Sequence, residues 1–145
     1  MAGRNRLFVR RRDGRIEIRL NDAGRSVARD AFGHVVAAER EVEHDWHTSL
    51  SAPIDPSTDH DDPTAMLTRQ LEIATNAELA LMTVDEAYLT DAEAWVWLTT
   101  LQVALRATAL STGVLDEERL ETASDEITDR IRILQQFLFE LAELF

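Results

Sequence analysis

The sequence predicts a mainly α-helical fold, a four-helix bundle-like domain with an N-terminal β-hairpin, and three features carry that reading. Leu7 to Leu20 holds two β-prone runs around Asp13-Gly14. From Asn21 onward, apolar residues recur at helical spacing. Helix-start signals stand at Asp62-Pro63 and at Thr90 with Glu93. With 145 residues, the chain fits one domain, 1–145, able to bury roughly two thirds of its unfolded surface.

The hairpin is expected over about 6–20. Asp-Gly readily adopts the positive φ angles of a tight turn, and Ile16, Ile18 and Leu20 alternate with Glu17 and Arg19. Two strands alone are marginal in water, so the apolar face must lie on a helix or pair with another chain. The first helix is expected over 22–48, where Val27, Ala31, Phe32, Val35, Val36, Val42 and Trp46 form one apolar stripe. Three prolines among Ser, Thr and Asp between Ser49 and Pro63 then predict a mobile loop over 49–62. Asp62 can cap the second helix and Pro63 suits its first position, giving a helix over 63–84. Thr90 and Glu93 form a capping box that opens a third helix over 91–111, ended by Gly113. Trp95 and Trp97 cannot face the same side of it. Trp95 is expected in the core with Leu98 and Gln102, and Trp97 at a rim or contact position.

A last helix is expected from 116 or 124 to 145. Ile127, Ile131, Leu134, Leu138, Leu141 and Phe145 step by four and three residues, which keeps one seam toward a partner. Ile133, Phe137 and Leu144, with Phe139 nearby, form a second stripe. A helix apolar on two sides must be buried on two sides. One side on the core and the other on a second copy would make a homodimer with Ile133, Phe137, Leu144 and Trp97 at the interface. A central helix enclosed by its own neighbours satisfies the same pattern.

Composition excludes several chemistries. The chain has no cysteine, so disulfides, thiolate metal sites and cysteine nucleophiles are absent, and a cytoplasmic location is the simplest expectation. The N-terminus lacks the apolar run of a secretory signal, and no stretch has the 18 apolar residues of a membrane span. Net charge is −12, unevenly placed: residues 1–19 carry seven of the fifteen arginines against Asp13 and Glu17. The rest of the chain is strongly acidic and repels nucleic acid phosphate. Lysine is absent, as in the composition that a GC-rich genome produces.

Candidate sites are few. His44, His47 and His60, with Asp61, are the one group with metal-ligand chemistry, but their spacing matches no zinc motif. Glu41, Glu43 and Asp45, like Asp116, Glu117 and Glu118, could pair as catalytic carboxylates, yet that work needs a shaped pocket to tune their pKa. Only five glycines occur, and neither a phosphate-cradling loop nor a nucleophile elbow can be built from them. The expectation is a non-catalytic protein without cofactor or resident metal. The alternative is a transcriptional regulator whose hairpin arginines Arg10, Arg11, Arg12 and Arg15 touch DNA, beside Phe8 as a stacking surface. Against it, those arginines can instead pair with the acidic helices.

Three stretches, Phe8-Val9-Arg10-Arg11-Arg12-Asp13-Gly14-Arg15-Ile16-Glu17 continued by Leu20-Asn21-Asp22-Ala23, Asp91-Ala92-Glu93-Ala94-Trp95, and Leu134-Gln135, resemble the actinobacterial family DUF2017. The family's tryptophan helix continues with polar residues where this chain has Thr100-Leu101-Gln102-Val103. The resemblance implies a regulatory or adaptor role, because family members tend to be encoded beside the substrate adaptor of the Clp protease. It thereby implies a protein partner in regulated proteolysis.

Overall fold

Gly14 is the one described residue with positive φ, at 90°, and it sets the hairpin. Its amide donates to the Arg11 carbonyl at 3.0 Å and the Arg11 amide to the Arg15 carbonyl at 2.8 Å. This is a type I turn closed by a glycine in the left-handed region, the usual three-residue hairpin connection. Asp13 does not take positive φ, so the turn is one residue longer than an Asp-Gly two-residue loop. The turn joins β1 (Phe8–Arg10) to β2 (Ile16–Ile18), with Phe8 opposite Ile18 and Arg10 opposite Ile16.

The computed structural model describes residues 6–40, 63–112 and 125–145, with side chains for 6–38, 68, 71–108 and 128–145. Among these residues four helices follow the hairpin: α1 (Asp22–Arg40), α2 (Pro63–Thr83), α3 (Asp91–Thr112) and α4 (Asp125–Ala142). The predicted loop 49–62, His44, His47, His60 and both acidic runs lie outside the described residues. Between α2 and α3 runs a strand that the sequence reading did not anticipate, β3 (Tyr88–Leu89). It pairs antiparallel with β2, Ile16 facing Leu89 and Glu17 facing Tyr88, so the sheet order is β1-β2-β3. The hairpin therefore completes its sheet within its own chain.

Local chemistry sets the helix ends. Asn21 Oδ1 accepts the Gly24 amide at 2.8 Å, capping α1. Pro63 opens α2, where its missing N–H costs nothing. At α3 the capping box is complete: the Glu93 amide donates to Thr90 Oγ1 at 3.2 Å, and the Thr90 amide to Glu93 Oε1 at 2.8 Å. Helix α4 ends at Ala142, short of the predicted 145.

Helix α3 is the central one, packed on α1, α2 and α4 and touching β3. Ala94, Trp97, Leu98, Leu101, Ala104 and Ala107 are all buried on it. Small side chains such as Ala28, Ala31, Ala77, Ala80 and Ala104, all buried, let neighbouring helix backbones approach closely. The hairpin lays Phe8, Ile16, Ile18 and Leu20 into the same core. Buried Thr100 and Thr108 satisfy their hydroxyls by donating to the carbonyls of Val96 and Ala104, at 2.9 and 2.8 Å.

The tryptophans exchange their expected places. Trp97 is fully buried, edge-on to Phe32 at 5.1 Å and to Phe8 at 6.0 Å between centroids, whereas Trp95 is 57% exposed. Trp97 Nε1 donates to Thr83 Oγ1 at 2.7 Å, which gives the buried indole its partner at the end of α2. A side chain enclosed by its own core cannot anchor a partner, so Trp97 is a core residue. Phe137, only 3% exposed, likewise belongs to the core, and Ile133 and Leu144 are half-buried against it. Both stripes of α4 are thus largely covered by neighbours in the same chain.

Candidate functional site

Large apolar side chains left in water are the first feature that folding does not explain. On α2, Ile73, Ala77, Ala80 and Leu81 face the core, yet Leu71, Leu79 and Met82 are 55%, 44% and 76% exposed. Steps of eight and three residues place these three on one helix face, about 16 Å long at 1.5 Å per residue. Polar Thr75 and Glu78 stand on the same face and exposed Glu72 borders it. A shallow cavity of about 420 Å³, lined by Thr68, Leu71, Glu72, Thr75 and Asn76, adjoins its N-terminal end. The α2 sequence is apolar on two sides, which is why one side remains uncovered after the core is filled.

A second apolar feature is an open groove of about 610 Å³ where the hairpin meets α1 and α4. Its walls include Leu7, Leu20, Val27, Ile133 and Phe137, with Arg6, Arg19 and Gln136 also lining it. Two of the residues predicted to lie at an interface, Ile133 and Phe137, come together here, but as groove wall rather than as projecting contacts. Leu144 lies elsewhere, beside the end of β1, where its carbonyl accepts from Arg10 Nη2 at 3.0 Å. Trp95 packs against Phe145 with ring centroids 5.1 Å apart and planes tilted by 41°, and the Arg10 guanidinium lies over the Phe145 ring at 5.4 Å. Phe139, 62% exposed, points outward from α4.

The arginine turn is the third. Arg10 is largely spent on its own chain, bonding Asp91 at 2.8 Å and the carbonyls of Gly14 and Leu144 at 3.0 Å. Arg15 pairs with Asp13 at 2.8 Å and lies over the Tyr88 ring at 4.2 Å. Arg19 bonds Glu17 at 2.7 Å, and Arg11 reaches the same carboxylate only at 3.8 Å. Arg12 has no ion pair among the described residues. The amide and guanidinium of Arg15 hold the Asp13 carboxyl below its ordinary 3.8. Arg19, and more weakly Arg11, hold Glu17 below its ordinary 4.5. Both carboxylates stay ionised at neutral pH. Of the hairpin arginines, only Arg10 has an ion pair with a helix among the described residues, through Asp91; the other pairs are made within the hairpin.

One residue that sequence reading passed over carries much of the hairpin's attachment. Arg25 donates from Nη1 to the carbonyls of Val84 and Glu86, both at 2.8 Å, from Nη2 to Ile18 at 3.2 Å and from Nε to Leu20 at 3.3 Å. It joins the end of β2 to the turn after α2. Nothing in its sequence neighbourhood marks it, because all four acceptors are backbone carbonyls.

Among the described residues no group of three or more His, Asp or Glu side chains is placed to hold a metal, and no helix is long and apolar enough to cross a membrane. Comparison with protein families, curated proteins and solved structures finds no match to this chain.

Proposed function

We propose that the protein is a non-catalytic interaction protein that works as a homodimer through the exposed face of α2. The observation that carries this reading is the line of Leu71, Leu79 and Met82, large apolar side chains held in water on one face of an otherwise well-packed helix. A two-fold contact uses the same patch on both subunits. Two antiparallel copies of α2 would set Leu71 against the partner copy's equivalent of Met82, with Thr75 and Glu78 nearest the axis and Leu79 next to them. The contact surface thereby moves from α4, where the sequence pattern suggested it, to α2.

A regulatory or adaptor role, with a protein partner in regulated proteolysis, rests on the resemblance to DUF2017 alone. A cytoplasmic location goes with this reading, since a chain without cysteine has no use for an oxidising compartment. The alternative of DNA binding by the hairpin is weakened by the pairing of Arg10, Arg15 and Arg19 within the chain.

Light scattering of wild type and Leu79→Glu tests the proposal. Wild type is expected at twice the chain mass and the variant at the chain mass, with unchanged circular dichroism.

A further inference from the structure

We propose that the arginine turn is a binding site for a compact phosphate dianion, of the kind carried by a phosphate monoester. The site is independent of the α2 contact. Arg10, Arg11, Arg12 and Arg15 line one open cavity of about 460 Å³, together with Asp13 and Tyr88. The turn that presents them is fixed by three hydrogen bonds: Gly14 amide to Arg11 carbonyl, Arg11 amide to Arg15 carbonyl, and Arg15 amide to Asp13 Oδ1. Tyr88 supports it from below, its ring against the Arg15 guanidinium.

Charge accounting within the cavity sets the ligand. The Arg15 guanidinium neutralises Asp13, to which the Arg15 amide also donates, and Arg10 is neutralised by Asp91. Arg11, with Glu17 only at 3.8 Å, and Arg12, with no ion pair among the described residues, are left with unspent donors. Two guanidinium forks lining one cavity match a group with close to two negative charges and three acceptor oxygens. A single carboxylate would satisfy only one of them.

The surroundings exclude an extended polyanion. Beyond residue 19 the chain carries 25 of its 27 acids, with Asp91 and Glu93 on α3 and Glu86 in the turn before β3. Screening reaches only about 8 Å at physiological ionic strength. A ligand confined to the cavity feels mainly the arginines, whereas a nucleic acid strand running past it would meet the acidic helices.

The experiment is a titration of 15N-labelled full chain, at constant ionic strength and neutral pH, with three probes: inorganic phosphate, a short peptide with no charge other than that of one phosphoserine, and a DNA duplex. Saturable shifts of the residue 11–15 amides with phosphate or the phosphopeptide support the site, and the tighter of the two names the source. Affinity is expected to fall as pH drops through about 6, where a monoester loses its second charge. The double variant R11Q/R12Q, altered only at exposed turn positions, is expected to bind about tenfold or more weakly. Arg29→Gln, an exposed arginine outside the cavity, is expected to bind as wild type. Absence of saturation with both phosphate probes, tighter binding of the duplex, or equal weakening by R29Q would overturn the proposal.

Discussion

Arg25 shows how a single side chain can decide where an element lies. Its guanidinium gathers carbonyls from the end of β2 and from the turn after α2, groups that would otherwise be left in a partly buried seam. Arg25→Met keeps the aliphatic stem and removes every donor. It is expected to cost on the order of 2–3 kcal/mol in urea unfolding, because charged donors to several carbonyls are lost at once. A loss below about 0.5 kcal/mol, the range of an ordinary surface change, would show the bonds to be incidental. Asp13 and Glu17 act more gently. Their folded-state pKa values lie below the ordinary 3.8 and 4.5, so their stabilisation is present above those values and is lost as pH falls through the lower folded values. A carboxylate NMR titration is expected to give Asp13 a midpoint below 3.8, rising toward 3.8 in Arg15→Gln.

At the scale of elements, the features readable in the sequence are those written in neighbouring residues. The Thr90 and Glu93 capping box, Pro63 at the start of α2 and the Asp13-Gly14 turn each need only a few consecutive positions. Gly14 is the sharpest of these: at φ 90° an added Cβ meets no neighbour within 4 Å, so the strain of Gly14→Ala is purely in the backbone. That variant is expected to lose about 1–2 kcal/mol in thermal unfolding, the usual penalty for a side chain in the left-handed region. Strand β3 could not be read because it is two residues long and its partner β2 lies about 70 positions earlier in the chain. The exchange of Trp95 and Trp97 has a related cause. Val96, Trp97, Leu98, Leu101, Val103, Ala104 and Leu105 make α3 apolar nearly all round, so periodicity sets no phase, and only the helices packed on it decide which indole is enclosed. The pattern of α4 suggests burial on two sides, but the helix that packs against three others is α3.

For the whole molecule, the candidate surfaces were only partly legible. The hairpin arginines stand out as a cluster in the sequence, and the structure gathers four of them around one cavity. What sequence could not give is which of them remain unspent, since Arg10 is engaged by Asp91 and by the Leu144 carbonyl, both far along the chain. The apolar face of α2 escaped notice because Leu71, Leu79 and Met82 are spaced like core residues, and only the finished packing shows that no described element covers them. The two stripes of α4 are visible in the sequence, and packing within the chain buries Phe137 and half-buries Ile133 and Leu144.

The central claim is that the molecule works by presenting the outer face of α2 to a second copy. Sedimentation equilibrium of the wild-type chain, beside Leu79→Glu and the control Phe139→Glu, tests it most directly. The account predicts a dimer for wild type and for Phe139→Glu, and a folded monomer for Leu79→Glu. A wild type at the chain mass over the whole concentration range, or a dimer dissolved by Phe139→Glu and untouched by Leu79→Glu, would contradict it.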